Sequence, residues 1–165
     1  MKARLILICL LLLTTACGFH LRGSQLTKFD VANIYISPAS APKLAKEVKS
    51  QLAGAGVTLS DSNVGATYIV TLKEERFEKS ILSVSATTGK VEEYELLYSA
   101  KMDASHADGR SIIQNDQVSV ARDFTFDENA VLSKFSEESI LQDDLVRRSA
   151  SQVLRRLQAL LPASK

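Results

Sequence analysis

Between Glu93 and Ala104 the chain alternates without a break. Tyr94, Leu96, Tyr98, Ala100, Met102 and Ala104 share one parity, and Glu93, Glu95, Leu97, Ser99, Lys101 and Asp103 share the other. A period of two sends successive side chains to opposite faces, so this segment is one long strand with a core side and a solvent side. Asp108-Gly109 follows it as a hairpin turn, and Ile112 to Arg122, with Val118 and Val120 in phase, is the next antiparallel strand. Before it, Thr87-Thr88-Gly89-Lys90 supplies another turn, with Gly where a positive φ is needed. Ahead of that turn, Ala66 to Lys73 alternates Tyr68, Val70 and Leu72 as a further strand. From Glu74 to Ser85 the apolar residues Phe77, Ile81, Leu82 and Val84 keep no single phase, which predicts a bulge that shifts the inward face. Three long strands therefore form a meander.

The flanking segments read differently. Val31 to Ser37 is β-branched and aromatic, with Ile34 and Ile36 on one face, and is the first core strand. Ser40-Ala-Pro42 opens a helix in which Leu44, Val48 and Leu52 recur every fourth residue until Gly54 and Gly56, and Val57 to Ser60 is a short strand. Near the end, Val146, Ala150, Val153, Leu157 and Leu160 mark a long amphipathic helix, with Arg147, Arg148, Arg155 and Arg156 on a solvated face. Glu137 and Glu138 fall in its predicted first turn and the arginines in its second half, an order that suits the helix dipole, and Pro162 ends it. The pattern is α+β, with both apolar helix faces on one side of a mostly antiparallel sheet.

The first thirty residues belong to no such pattern. Two cations in Met1-Lys-Ala-Arg precede the apolar run Leu5 to Leu13. That run is far short of the roughly 20 residues a spanning helix needs, and its order is that of a cleaved secretion signal. The following Thr14-Thr15-Ala16-Cys17-Gly18 resembles the lipobox of bacterial lipoproteins. This resemblance implies cleavage before Cys17, which would then carry covalent N-acyl and S-diacylglycerol lipid. Gly18, where an Asp would imply retention at the inner membrane, implies the outer membrane instead. The expected organisation is a signal over 1–16, a lipidated tether over 17–30 and a single domain over 31–165. Cys9 lies in the signal, so Cys17 has no intrachain disulfide partner.

Composition excludes more than it selects. The charges nearly cancel at +1, with 20 Lys plus Arg against 19 Asp plus Glu, and nucleic-acid binding is not suggested. HExxH, GxSxG, Walker and GxGxxG spacings are all missing. Of the two histidines, His20 sits beside the anchor and His106 near a turn, too few for a metal centre. Neighbours on a strand point to opposite faces, so Ser105, His106 and Asp108 cannot align as nucleophile, base and orienter, and His106 reads as an exposed turn residue. The reading is a non-enzyme with no cofactor beyond the lipid on Cys17. A lipid-anchored hydrolase would have to use His106 as its base. A generic lipid-anchored chaperone or pilotin for another outer-membrane protein is the alternative.

The run Cys17-Gly-Phe-His-Leu-Arg-Gly23 is similar to the start of mature members of the lipopolysaccharide-assembly lipoprotein family LptE, also called rare lipoprotein B. The resemblance continues through Lys43 to Leu52, Thr88 to Tyr94, Arg122 to Phe126 and Ala150 to Leu157. It implies two helices packed on one face of a mixed, mostly antiparallel four-stranded sheet. It also implies a non-catalytic outer-membrane lipoprotein that plugs the LptD β-barrel in a 1:1 complex, assists the barrel's assembly, binds lipopolysaccharide and helps insert it at the cell surface. By matching position it assigns lipopolysaccharide binding to Lys134, just before the final helix; the family's second basic position, at the hairpin tip, falls near the uncharged Thr87, so Lys90 three residues on and Arg122 at the neighbouring strand end are the residues that would take its place.

Overall fold

A computed structural model describes residues 33–125 and 131–161, and the side chains within them except those of 131–137. The signal segment, Cys17, the tether and Pro162 lie outside the described residues. The alternating run forms β4, Val91–His106, with Leu96, Tyr98, Ala100, Met102 and Ala104 all buried. It pairs antiparallel with β3, Tyr68–Val84, and with β5, Ser111–Thr125, as the turn signals require. The glycines of both turns adopt the left-handed region, Gly89 at φ 69° and Gly109 at φ 87°, where a side chain would be strained.

On the other side of β3, β1 (Ile34–Ser37) pairs in parallel, and beyond it lies β2, Leu59–Ser60. The sheet order is β2-β1-β3-β4-β5, five strands where the family resemblance implies four. The difference is the two-residue β2, which extends the parallel edge by two rungs, Ile34 with Leu59 and Tyr35 with Ser60.

Helix α1, Pro42–Gly54, begins with Pro in its first turn and buries Leu44, Ala45, Val48 and Leu52. Helix α2, Val131–Leu160, buries Leu145, Val146, Ala150, Val153, Leu154 and Leu157. Both helices join a single core with the inward faces of β1, β3, β4 and β5. Gln51 ties them together, donating to the Arg147 carbonyl at 3.1 Å and accepting from the Ser151 hydroxyl at 3.0 Å.

Two readings of α2 need correction. It starts at Val131, so Glu137 and Glu138 lie beyond its first turn, which holds no acidic residue, and its last turn holds no basic one. The expected acidic start is therefore absent, although the four arginines do lie in the helix's second half. Arg156 is also not merely solvated. It donates to the Gln117 carbonyl at 2.7 Å and pairs with Asp116 at 2.6 Å, tying the helix to β5.

The irregular phase in β3 is a bulge, as predicted, where the register with β4 shifts between Lys73 and Arg76. Glu74 takes φ 56° and its N–H donates to the Ser40 hydroxyl at 2.8 Å. The extra residue turns Glu75 toward α1, whose first amides have no partner in their own helix. The Lys43 and Leu44 N–H groups donate to its carboxylate at 3.2 and 3.1 Å, and the buried Tyr98 hydroxyl donates to it at 2.9 Å. Burial, followed by this nearby carboxylate, pushes the Tyr98 phenol far above its ordinary value.

A second bulge, in β5, repeats the device. Asn115 takes φ 53° and its N–H donates to Asp103 at 2.7 Å, while Lys73 pairs with the other oxygen. Burial raises the Asp103 carboxyl, but the Asn115 amide with Lys73 and Lys101 outweighs it, holding the group below its ordinary 3.8.

Glu75→Ala should lower unfolding stability by about 2–4 kcal/mol, since it removes a helix cap and strands a buried phenol. Urea denaturation checks this, with Tyr98→Phe expected to cost less than Glu75→Ala. A carboxyl whose pKa is lowered by folding contributes stability above its unfolded value that disappears as pH falls through the folded one. Asp103→Asn should therefore flatten the loss of stability seen by urea titration as pH drops below about 4.

Candidate functional site

The three long strands run past the region where α1 packs, and the register fixes what they present there. Successive rungs on the helix-facing side are Phe77–Tyr98–Val120, Lys79–Leu96–Arg122 and Ile81–Tyr94–Phe124. Phe77 meets Tyr98 edge-on at 4.9 Å, and Tyr94 stacks on Phe124 at 5.7 Å. Lys79 bridges the last pair, with its ammonium 4.6 Å from the Tyr94 centroid and 5.1 Å from that of Phe124. The same nitrogen donates to Glu138 of α2 at 2.8 Å. An aromatic face attracts a cation, so Lys79 is held by two rings and one carboxylate.

Beyond this platform the β3–β4 hairpin carries exposed apolar side chains, Ile81 at 58%, Leu82 at 49% and Val84 at 55%. Ile140 of α2 is 67% exposed.

The three cations assigned by resemblance occupy one end of the domain. Lys90 is at the hairpin turn, Arg122 is near the end of β5, and Lys134 lies in the first turn of α2, not just before the helix as the sequence suggested. The side chain of Lys134 is outside the described ones. Lys90 and Arg122 do not touch a common point. Arg122 pairs with Leu96, six residues along β4 from Lys90, a separation of about 20 Å at the rise of a strand. Arg122 instead borders a surface groove of about 440 Å³ with Ile140, Leu141, Asp143, Asp144, Arg147 and Arg148.

Sequence reasoning missed Lys79 and the exposed tip. The ten residues from Ser80 to Gly89 carry no charge, which is a readable signal, but the side to which Lys79 points follows only from the bulge at Glu74.

His106 departs from the exposed turn residue expected. It closes β4 half-buried, its ring 5.2 Å from that of Tyr68. Asp108 turns away to Arg110, accepting from its backbone N–H at 3.0 Å and its side chain at 2.8 Å, and these contacts hold its carboxyl below the ordinary range. Ser105, His106 and Asp108 thus form no relay. Among the described residues no group of three or more His, Cys, Asp or Glu side chains is placed to hold a metal, and no helix is long and apolar enough to cross a membrane.

A protein-family model described as LptE, lipopolysaccharide-assembly, matches residues 27–157. The chain belongs to the LptE family. It is 26% identical over 156 residues, 93% of this chain and 84% of the relative, to the LPS-assembly lipoprotein LptE of Photorhabdus laumondii. Its fold is similar to that of lipoprotein B from Nitrosomonas europaea, with a TM-score of 0.71 at 23% identity over 86% of this chain and 91% of that one. The rare lipoprotein B of Shewanella oneidensis gives a TM-score of 0.65 at 23% identity, over 77% and 94% of the two chains. The family assignment bears out the sequence resemblance, and these folds agree with the two-helix, mixed-sheet architecture.

Replacing Lys79 with Met keeps an unbranched apolar stem and removes the charge. The Lys79→Met variant of this LptE-family chain should lose about 1–2 kcal/mol in chemical denaturation, from the ring contacts and the partly exposed ion pair together.

Proposed function

We propose that this chain is the lipid-anchored plug of an LptD β-barrel, in a 1:1 complex at the outer membrane, and that it binds lipopolysaccharide at the hairpin end of its domain. In this role it assists assembly of the barrel and helps insert lipopolysaccharide at the cell surface, with no catalysis and no cofactor beyond lipid on Cys17. The observation that carries the reading is that Lys90, Arg122 and the first turn of α2 with Lys134 all lie toward the β3–β4 hairpin half of the sheet, away from the end where β1 begins.

Ile34, the first residue of β1, pairs with Tyr68, which pairs with His106 beside the opposite hairpin. The first described strand therefore begins at the end of the sheet far from the β3–β4 hairpin. Phosphates on the ligand suit Lys and Arg donors through charge-assisted hydrogen bonds. The first turn of α2 adds to this, because it carries Lys134 and the N-terminal end of a helix dipole favours an anion.

Affinity purification of the tagged, lipidated protein from outer membranes in mild detergent tests the reading. A stoichiometric LptD-sized barrel is expected, with bound lipopolysaccharide. Lys134→Asp and Arg122→Asp should each reduce the lipopolysaccharide retained, by about tenfold for Lys134, while the barrel stays bound. Recovery of a secretin or pilus component in place of the barrel would overturn the translocon assignment.

A further inference from the structure

β5 is the outer edge of the sheet, and its main chain faces two ways. At the β4–β5 turn the His106 N–H donates to the Arg110 carbonyl at 2.9 Å, so the main-chain groups of His106 point across to β5. In an antiparallel ladder these directions alternate along a strand, which makes Met102, Ala100, Tyr98 and Leu96 the residues bonded to β5. Their partners are Asp116, Val118, Val120 and Arg122. The residues between, Gln117, Ser119, Ala121 and Asp123, therefore aim their N–H and C=O groups out of the sheet, and all four are exposed.

Only the first half of this edge is closed. Asn115 forms a bulge there, and Arg156 reaches from α2 to the Gln117 carbonyl, donating at 2.7 Å. Bulges and charged side chains are the usual devices that keep an edge strand from pairing. From Val118 to Thr125 the register is unbroken, with no proline and no lysine. Among the described residues nothing bonds the outward groups of Ser119, Ala121 or Asp123. Beside this open half lies the groove of about 440 Å³ between Arg122 and the α2 residues Ile140, Leu141, Asp144 and Arg148. Arg148 and Arg156 stand eight residues apart on one row of the helix, so the groove follows the same side of α2 that guards Gln117. A strand laid on this edge would send alternate side chains toward the groove and the others beside Ser119 and Ala121, which are small enough to leave room.

We propose that the open half of β5 takes up one extended polypeptide segment as a sixth strand, alongside α2, and that the segment belongs to the barrel partner. The occupant is a polypeptide because the outward groups recur at every second residue, about 7 Å apart, a spacing that another extended main chain matches and a glycolipid does not. Arg147, which also lines the groove, has no carboxylate partner among the described residues and suits an acidic side chain on the segment. The identity of the partner rests on the plug reading above, to which strand addition adds the contact that joins the two chains.

Hydrogen–deuterium exchange resolved to single amides tests this, on the full-length lipoprotein alone in detergent and in the purified barrel complex. Complex formation should slow the Ser119, Ala121 and Asp123 amides by about tenfold or more and leave those of Val120 and Arg122, already bonded to β4, nearly unchanged. Ala121→Pro removes one outward N–H where an edge strand tolerates proline, so its urea midpoint should stay close to that of the wild type while the complex weakens about tenfold. A recovered barrel with no slowing, or with equal slowing of outward and inward amides, would overturn strand addition and leave the plug reading standing. A proline variant that keeps full affinity would do the same. Failure of the wild-type lipoprotein to bring down any barrel would remove both the plug reading and the proposal.

Discussion

The carboxylate of Glu75 joins the three layers on which this fold depends. It accepts from two amides at the start of α1 and from the Tyr98 hydroxyl in the centre of β4, and it does so from a bulge in β3. Without the extra residue at Glu74, strand alternation would aim Glu75 at solvent and leave the helix start uncapped. With it, the same bulge sets the direction of the β3 side chains that follow as far as Ile81, where the register shifts again. Phe77 turns inward onto Tyr98, and Lys79 reaches the rings of Tyr94 and Phe124. The cap and the platform at the far end are thus two consequences of one irregularity.

Much of this was legible in the sequence where a single period ran long enough. The inward set of β4 from Leu96 to Ala104 followed from alternation alone, and the fourfold spacing of Leu44, Val48 and Leu52 with Pro42 before and Gly54 after defined α1. The bulge in β3 was also visible, as a loss of phase between Phe77 and Val84. Its size was not, because the register depends on which rungs of β4 are met, a tertiary matter. The start of α2 was misplaced for a related reason. Glu137 and Glu138 look like a first-turn signal, yet the helix opens six residues earlier, and Arg156 finds Asp116 and Gln117 across a gap of about forty residues that no local pattern reveals.

The two ends of the domain differ in kind. At one, β1 begins beside the β4–β5 turn, where Tyr68 and His106 pack together and Arg110 satisfies Asp108 locally. At the other, a hairpin uncharged from Ser80 to Gly89, stacked aromatics, a shared lysine and the start of α2 meet. Family membership gives this polarity a direction in the proposed role, with the lipid anchor entering on one side and the transported glycolipid met on the other. The long strands follow from that geometry, because they separate the two ends.

The most direct test of this polarity is site-specific photocrosslinking in living cells, with a photoreactive residue placed singly at positions 122 and 86 near the hairpin end and at positions 63 and 109 near the opposite end. Lipopolysaccharide adducts are predicted from 122 and 86 and not from 63 or 109. Adducts from 63 and 109 alone, or equally from all four, would contradict an account in which the hairpin end carries the ligand.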